Sequence, residues 1–250
     1  MTTALGIDIG GTGIKGARVD LTTGELVSDR IKYATPEGGR PADVLDTVAQ
    51  VLDQLGAGAE EHTGVCFPAV VTHGITRSAA NVSSEWIDYP AATTFATSLG
   101  RDIHFVNDAD AAGVAEAHYG AARDVSGLVI MLTLGTGIGS AFLMDGVLVP
   151  NTELGHLEMS GRDAEQLASN AAREREGLDF ATWAGRLNEY LAYLEKLFSP
   201  ELFIIGGGVS TDHEEFFPLL TVPTPITPAA LFNNAGIVGA AYLAGHSLLD

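Results

Sequence analysis

The sequence predicts an α/β protein made of two related lobes. Short apolar segments, typical of buried strands, alternate with longer segments whose apolar residues recur at helical spacing. Two stretches share one layout, namely LGIDIGGTGIKGARVDLTTGELV at 5–27 and VIMLTLGTGIGSAFLMDGVLV at 129–149. In each, an apolar strand, a Gly/Thr turn, a second strand, a further turn and a third strand follow in order. The match indicates a duplicated unit, with coincidence as the alternative.

The first lobe is expected to open with three strands, at 4–9, 14–21 and 25–33, because glycine-containing turns separate them. A helix over 41–55 follows, since its apolar residues fall on one face and Gly56 ends it. Strands at 64–71 and 103–106, with a helix at 91–99 between them, are the remaining predicted elements.

The second lobe is expected to alternate in the same way. Its predicted helices are 109–122, 162–175 and 182–198, and its predicted strands are 128–134, 140–144, 147–149 and 202–205. A last helix over 236–249 is rich in small residues and is expected to pack back onto the first lobe. The prediction is thus an N-terminal lobe over 1–108, completed by the C-terminal helix at about 237–250, and a C-terminal lobe over 109–236.

Composition and charge exclude several classes of protein. The 250 residues are 46% apolar and carry 32 acids against 13 bases, a net charge of −19. So acidic a chain is not expected to bind nucleic acid or an anionic membrane in general. Cys66, the single cysteine, excludes a disulfide framework and a thiolate metal cluster. Neither a signal peptide nor the ~18 apolar residues of a membrane span is evident, so a cytoplasmic protein is expected.

Three glycine-rich turns, at 10–13, 135–139 and 206–208, each end a buried strand. Successive backbone N–H groups in such turns can bind an anion, and glycine lets a phosphate approach closely. A dinucleotide fold is disfavoured because a strand, not a helix, follows the first turn, and no P-loop motif occurs. An ordinary hairpin remains an alternative for either of the first two turns, but it explains all three together poorly.

Four motifs, in their order and spacing, resemble a known family. Asp8-Ile-Gly-Gly-Thr12 and Leu134-Gly-Thr-Gly-Ile-Gly139 resemble the two phosphate motifs of the sugar kinase/Hsp70/actin fold. Val106-Asn-Asp-Ala-Asp-Ala-Ala112 and Glu153-Leu-Gly-His156 resemble the catalytic and sugar motifs of the ROK family of repressors, open reading frames and kinases. The resemblance spans essentially the whole chain. It implies a two-lobed actin-like ATPase fold with the active site in the inter-lobe cleft.

Within this family, YLEKLFSPELFIIGGGVS and NNAGIVGAAYLA resemble actinobacterial polyphosphate glucokinases, including a polyphosphate/ATP glucomannokinase. The resemblance implies phosphoryl transfer from polyphosphate, ATP or both to the 6-hydroxyl of glucose, with mannose acceptance and a monomer or homodimer left open. The alternatives are an ATP-only glucokinase, a non-enzymatic sugar-binding sensor and an actin-like ATPase. An intact Asp108 disfavours the sensor, and the Glu153/His156 pair disfavours the ATPase.

The sequence departs from the family at two places. Many members carry a zinc site of one histidine and three cysteines after the sugar motif, whereas this chain keeps His156 but has no cysteine there. No zinc is therefore expected. Many members also read GGTK, where this chain has Gly11-Thr12-Gly13-Ile14-Lys15, as the polyphosphate-using group does.

By this resemblance Asp108 is the general base, although an aspartate at a helix start is often an N-cap. Asn107 is expected to bind a sugar hydroxyl. Asp110 is expected to be the helix cap or a surface acid. Asp8 is expected near Mg²⁺, through water, with a buried, hydrogen-bonded carboxylate as the alternative.

The sugar is expected to be held by side chains that match its hydroxyls. Glu153 and His156 supply a carboxylate and an imidazole for neighbouring hydroxyls. Glu165 is the expected third carboxylate, with Glu158 as its rival, and Asn81 is a further candidate.

The donor phosphates are expected to lie against the glycine turns. The predicted contacts are Gly10, Gly11, Thr12, Gly13, Lys15, Gly135, Thr136, Gly137 and Gly207. Lys15 could instead be a solvent-facing strand residue. A polyphosphate chain would also need some subset of Arg77, Arg162, Arg173 and Arg175, because the net charge of the chain repels it.

Overall fold

The computed structural model describes residues 2–79 and 82–246. The strands are β1 (Thr3–Ile9), β2 (Gly13–Asp20), β3 (Ile31–Ala34), β4 (Thr63–Phe67), β5 (Val71–Thr72), β6 (Ile75–Thr76), β7 (Ile103–Asn107), β8 (Leu128–Leu134), β9 (Ile138–Met144), β10 (Val147–Val149), β11 (Glu158–Met159), β12 (Arg162–Asp163), β13 (Leu202–Gly206) and β14 (Ile226–Pro228). The helices are α1 (Pro41–Gln54), α2 (Ala91–Leu99), α3 (Asp108–Tyr119), α4 (Glu165–Ala168), α5 (Asn170–Glu176), α6 (Phe180–Phe198), α7 (His213–Phe216) and α8 (Ala235–His246). None of these helices is long and apolar enough to cross a membrane.

The chain divides into two compact units. Unit 1 is Met1–Ala115 with Asn234–Asp250, and unit 2 is Glu116–Asn233. The division falls within α3, between Ala115 and Glu116, and the predicted lobe boundary at Asp108 stays a prediction. At the other end it lies before Asn234, so α8 belongs to unit 1.

Unit 1 is built on a five-stranded sheet in the order β3-β2-β1-β4-β7. The first three strands form an antiparallel meander, and β1, β4 and β7 run parallel. Helix α8 packs directly on β1 and β4, since Gly6 and Gly64 leave room for the backbone of Ile237 and Ala240. The core also includes Trp86, which is fully buried and stacks with Phe67 and other aromatic rings.

Unit 2 repeats this plan. Its five-stranded sheet has the order β10-β9-β8-β13-β14, again an antiparallel meander followed by parallel strands. Apolar residues of α6, among them Trp183 and Leu187, pack in one core with Ile130 and Phe203 of the sheet. The predicted α/β class is confirmed, and the repeated sequence layout corresponds to a repeated sheet topology.

Several predicted elements were wrong in extent. The strand predicted over 64–71 ends at Phe67, and the helix predicted over 109–122 ends at Tyr119. The third strand is Ile31–Ala34 rather than 25–33, and Leu26 makes only an isolated bridge to Val19. The helix predicted over 162–175 is divided into β12, α4 and α5. Ser169 causes the last break, because its extended backbone ends α4 while its Oγ accepts a hydrogen bond from Ala172 N at 3.1 Å and caps α5. Of the predicted C-terminal helix, 247–249 lie outside the described residues.

Candidate active site

The first glycine turn joins β1 to β2 as a tight hairpin. Gly10 N donates to Gly13 O at 3.0 Å, and Thr35 Oγ1 donates to Gly10 O at 2.5 Å, so a neighbouring segment fixes the turn. Gly11 and Thr12 are exposed at its apex, and nothing lies within 4 Å of the position that a Gly11 Cβ would occupy. The apex can therefore be approached closely by an anion.

Two carboxylates of unit 1 lie around the buried thiol of Cys66. Asp8 faces Lys15 across the β1–β2 pair, and Lys15 Nζ donates to Asp8 Oδ2 at 3.2 Å. The Cys66 Sγ donates weakly to Asp8 Oδ1 at 3.8 Å. Burial raises the pKa of the Cys66 thiol well above its usual range, and the charges of Asp8 and Asp108 raise it further. The structure thus places Asp8, Lys15 and Asp108 in one neighbourhood. The site residues predicted from the sequence do not include Cys66.

Asp108 is half-buried at the first position of α3, where its Oδ1 accepts a hydrogen bond from Ala109 N at 2.8 Å. The preceding Asn107 is buried, and its Oδ1 accepts from Asp110 N at 3.0 Å while its Nδ2 donates to Ala69 O at 3.1 Å. Asn107 therefore caps α3. Asp110 is buried, so its interpretation as a surface acid was wrong, and its backbone N–H donates to the Asn107 cap. The role of Asn107 toward a sugar stays a prediction.

The second glycine turn lies in unit 2 between β8 and β9. Gly135 N donates to Gly137 O at 3.0 Å, and Gly135 O accepts from Ala171 N of α5 at 3.0 Å. A side chain at Gly137 would collide with the Glu165 carboxylate, which accepts from Ile138 N at 3.2 Å. Thr136, between the two glycines, is exposed.

The third glycine turn packs against the second. Gly207 has φ +84°, and a Cβ there would lie 2.5 Å from the carbonyl oxygen of Leu134. A residue with a side chain would therefore be strained as well as obstructed at this position. The structure brings Gly207 against Leu134, next to the Gly135–Gly137 turn, and the predicted role of these glycines toward donor phosphates stays a prediction.

A cluster of four polar side chains follows β10 in unit 2. His156 Nε2 lies 3.9 Å from Glu153 Oε2, and His156 Nδ1 is 3.0 Å from Asp163 Oδ2. The β11–β12 hairpin supplies Asp163, and α4 begins with Glu165. Ligand atoms of His156, Asp163 and Glu165 all lie within 4.8 Å of one another. Sugar hydroxyls, which both donate and accept, match such a mixture of carboxylates and imidazole.

The environment of this cluster shifts two pKa values upward. Burial raises the pKa of Glu153, and the charge of Glu165 adds to that effect while His156 opposes it. The hydrogen bond to Asp163 raises the pKa of His156, and the neighbouring acidic groups add to it. Asp163 therefore fixes a proton on Nδ1, which leaves Nε2 for another partner.

Comparison with known proteins assigns the chain to a family. Residues 4–177 match the model of the ROK family. The chain belongs to the ROK family. It is 48% identical over 237 residues to a polyphosphate glucokinase of Mycobacterium tuberculosis, covering 94% of this chain and 89% of that protein.

Solved structures agree with this assignment. An inorganic polyphosphate/ATP-glucomannokinase from Arthrobacter sp. strain KM superimposes with a TM-score of 0.95 and 49% identity, over 100% of both chains. A ROK family glucokinase from Streptomyces griseus, in complex with glucose and AMPPNP, matches with a TM-score of 0.80 and 25% identity over 96% of this chain and 98% of its own. The predicted family and actin-like fold are thereby confirmed.

The sequence motifs of this ROK chain did not include Asp163. The sequence nevertheless contained a signal for this hairpin, namely the dipeptide Ser160-Gly161, which is typical of a two-residue turn. In the structure both residues have positive φ, at 52° and 76°. Such a turn pairs Glu158 with Asp163 and thereby sets the hairpin that carries Asp163 toward His156. Glu158, the rival third carboxylate, is exposed on β11, whereas Glu165 lies beside His156.

Other predicted residues of the ROK chain have different surroundings. Asn81 lies outside the described residues. Arg77 forms an ion pair with Asp88 at 2.8 Å. On α5, Arg173 lies 3.8 Å from Glu174 and 4.5 Å from the centre of the Phe180 ring, while Arg175 lies 3.2 Å from Glu176. Arg162 is exposed on β12. Their role toward polyphosphate stays a prediction.

His156, Asp163 and Glu165 also form a group of three described side chains that could hold a metal ion together. One imidazole and two carboxylates are acceptable ligands for several divalent ions. Two of the contacts are already made within the protein, by Asp163 to Nδ1 and by Glu165 to Ile138 N. The expectation that the ROK chain needs no zinc stays a prediction.

Replacement of Asp163 by asparagine should lower the pKa of His156, because the hydrogen bond to a carboxylate and the adjacent negative charge are lost. The folded-state pKa of His156 lies above its ordinary value of about 6.5. The stabilisation from this pair is therefore present at low pH and is lost as pH rises through the folded-state pKa. NMR titration of the imidazole signal, assigned with His156→Gln, measures the shift. Asp29→Asn, at an exposed acid, is the matched control; an equal pKa in both variants would contradict the prediction.

Proposed function

We propose that this chain transfers a phosphoryl group from polyphosphate or ATP to the 6-hydroxyl of glucose, with mannose as a second acceptor. The observation that carries the proposal is the identity of 48–49% to a polyphosphate glucokinase and a polyphosphate/ATP-glucomannokinase across nearly the full length of each. A sensor without turnover would not need the carboxylate at Asp108. An ATPase without an acceptor would not need the Glu153/His156 cluster.

Asp108 acts as the base in this proposal. Its carboxylate accepts the proton of the 6-hydroxyl as that oxygen attacks the terminal phosphorus and the bond to the donor's leaving oxygen breaks. The first turn of α3 suits this role, because the N-terminal end of a helix stabilises a negative charge. The hydrogen bond from Ala109 N holds one carboxylate oxygen in place.

The cluster in unit 2 orients the sugar. Glu153 and Glu165 accept hydrogen bonds from hydroxyls. His156 offers Nε2, which accepts from a hydroxyl when the ring is neutral and donates when it is protonated. The glycine turns place backbone N–H groups along the donor phosphates, and Gly207 leaves space beside the second turn.

Kinases generally require a divalent metal, and we assign Mg²⁺ to this one, with Asp8 as the residue that would hold it. Asp8 is a suitable ligand because it is a half-buried carboxylate beside the first glycine turn, and Mg²⁺ prefers oxygen ligands. The metal would neutralise charge on the donor phosphates. Lys15 adds a second positive charge at the same carboxylate.

Nucleotide-free hexametaphosphate and glucose should yield glucose 6-phosphate in a coupled assay with this protein. The expected reason is that the phosphate-binding turns contact the phosphate chain, which polyphosphate and ATP share. ATP serves as the parallel donor, and mannose replaces glucose in a second arm. Activity with ATP but none above background with hexametaphosphate would leave an ATP-only glucokinase.

A further inference from the structure

Eight of the 13 basic side chains of this acidic protein have an acidic partner among the described residues. Acidic partners within 4.0 Å hold Lys15, Arg18, Arg40, Arg77, Arg123, Arg173, Arg175 and Arg186. Lys32 is not among these eight: within residues 2–79 and 82–246 its ammonium has neither an ion pair nor a hydrogen bond, as is also true of the side chains of Lys196 and Arg162. What sets Lys32 apart is its position beside the first glycine turn.

Lys32 lies on the edge strand of the unit 1 sheet, directly opposite Lys15. Lys15 in turn is opposite Asp8, so the three side chains form one row across β1, β2 and β3. Like charges at opposite positions repel, and the row has one carboxylate for two ammonium groups. Asp8 already binds Lys15 at 3.2 Å, which leaves the charge of Lys32 without compensation.

The side chain of Lys32 leans toward the first glycine turn. Its Cε lies 3.0 Å from the position that a Cβ on Gly13 would occupy, although Gly13 itself pairs with Ala34. The absence of a side chain at Gly13 is what makes room for the lysine. The ammonium group is one bond beyond Cε and therefore lies near Gly13.

Arg30, just before the same strand, is a second cation, and no acidic group lies within ion-pair distance of it among residues 2–79 and 82–246. Its Nη1 donates to Asn234 Oδ1 at 3.0 Å, a neutral group. The segment that forms the edge of the sheet thus carries two cations, Arg30 and Lys32, in a protein of net charge −19. A positive charge held without a counter-ion next to an exposed glycine apex suits a bound anion.

We propose that Lys32 binds the phosphoanhydride chain of the donor alongside the first glycine turn. The inference rests on the proposed function and adds a residue to it. The shared chemistry is a linear chain of phosphates, which inorganic polyphosphate and the triphosphate of ATP both supply. Lys32 donates a charge-assisted hydrogen bond to a phosphate oxygen. The negative charge of the phosphate then compensates the ammonium, which has no acidic partner among the described residues.

The test compares Lys32→Met with Lys196→Met, a matched change of an exposed lysine on α6 in unit 2. Methionine keeps the apolar stem over Gly13 and removes the charge. Calorimetry with inorganic tripolyphosphate should show Kd raised at least about tenfold by Lys32→Met and unchanged by Lys196→Met. The KM for ATP should rise in parallel, with the KM for glucose unchanged. Lys32→Arg should restore most of the binding.

The salt dependence of tripolyphosphate binding supplies a second readout, since the variant without the charge should respond less steeply to ionic strength. Equal Kd values for the two methionine variants would overturn the role of Lys32 and leave the kinase proposal standing. A wild-type protein that phosphorylates no glucose with either donor would instead overturn the proposed function. A rise in the KM for glucose alone would also contradict the inference, because it would place Lys32 at the acceptor.

Discussion

Replacing Asp108 by asparagine is expected to lower kcat for glucose phosphorylation by about 10²–10⁴-fold, the usual contribution of a general base. The amide cannot accept the hydroxyl proton, yet its oxygen can still accept the hydrogen bond from Ala109 N. Folding should therefore be preserved, and glucose should still bind. Steady-state kinetics with saturating ATP measure the loss, and intrinsic fluorescence or calorimetry measures glucose binding.

Asp29→Asn supplies the control for this loss, because it removes an exposed carboxylate by the same chemical change. Its kcat should equal that of the wild type. A kcat of Asp108→Asn within a few-fold of the wild-type value would remove Asp108 from its role as base. Equal losses with ATP and polyphosphate are expected, since the base acts on the acceptor and not on the donor.

Replacing Gly64 by alanine is expected to lower the free energy of unfolding of unit 1 by about 3 kcal/mol, the upper end of what overpacking usually costs. A Cβ at Gly64 would be driven into the backbone carbonyl of Ala240 on α8. Because that neighbour is backbone and not a flexible side chain, the helix itself has to move away. Loss of contact between α8 and β4 follows, and the buried residues beside them become poorly packed.

Gly185→Ala provides a control, because this substitution is expected to raise the free energy of unfolding and not to lower it. Gly185 lies in α6 with nothing within 4 Å of its would-be Cβ, so alanine should stabilise the helix by about 0.5–1 kcal/mol. The two buried tryptophans, Trp86 in unit 1 and Trp183 in unit 2, allow urea unfolding to be followed separately in single-tryptophan variants. An unchanged Trp86 transition in Gly64→Ala would show that α8 adapts without cost.

Local sequence patterns predicted the strands that end in glycine turns, because a buried strand and a turn leave strong signals over a few residues. They did not predict the position of β3. The segment over 25–30 has apolar residues but pairs with its neighbour only at Leu26, and strand pairing is a non-local property. Lys32 could not be placed beside Gly13 without that register.

The candidate site shows the same limit. Glu153 and His156 lie three positions apart in one short segment, so their meeting is nearly local. Asp163 meets His156 only through the pairing of β11 with β12, and Asn107 becomes a helix cap only once β7 has ended beside α3. Residue types indicated the chemistry of the Glu153/His156 cluster and of the segment that starts α3. The hydrogen-bond partners in both places depended on the three-dimensional arrangement.

Helix α8 has a consequence for biosynthesis. The strands that it covers, β1 and β4, leave the ribosome early, whereas α8 is translated only after every residue of unit 2. During that interval the nascent N-terminal sheet has one apolar face without its cover, and such faces attract chaperones or other chains. Slowing translation within unit 2 would lengthen this exposure. Premature termination before Ala235 would yield a polypeptide whose first unit cannot mature, even though its first 115 residues are intact.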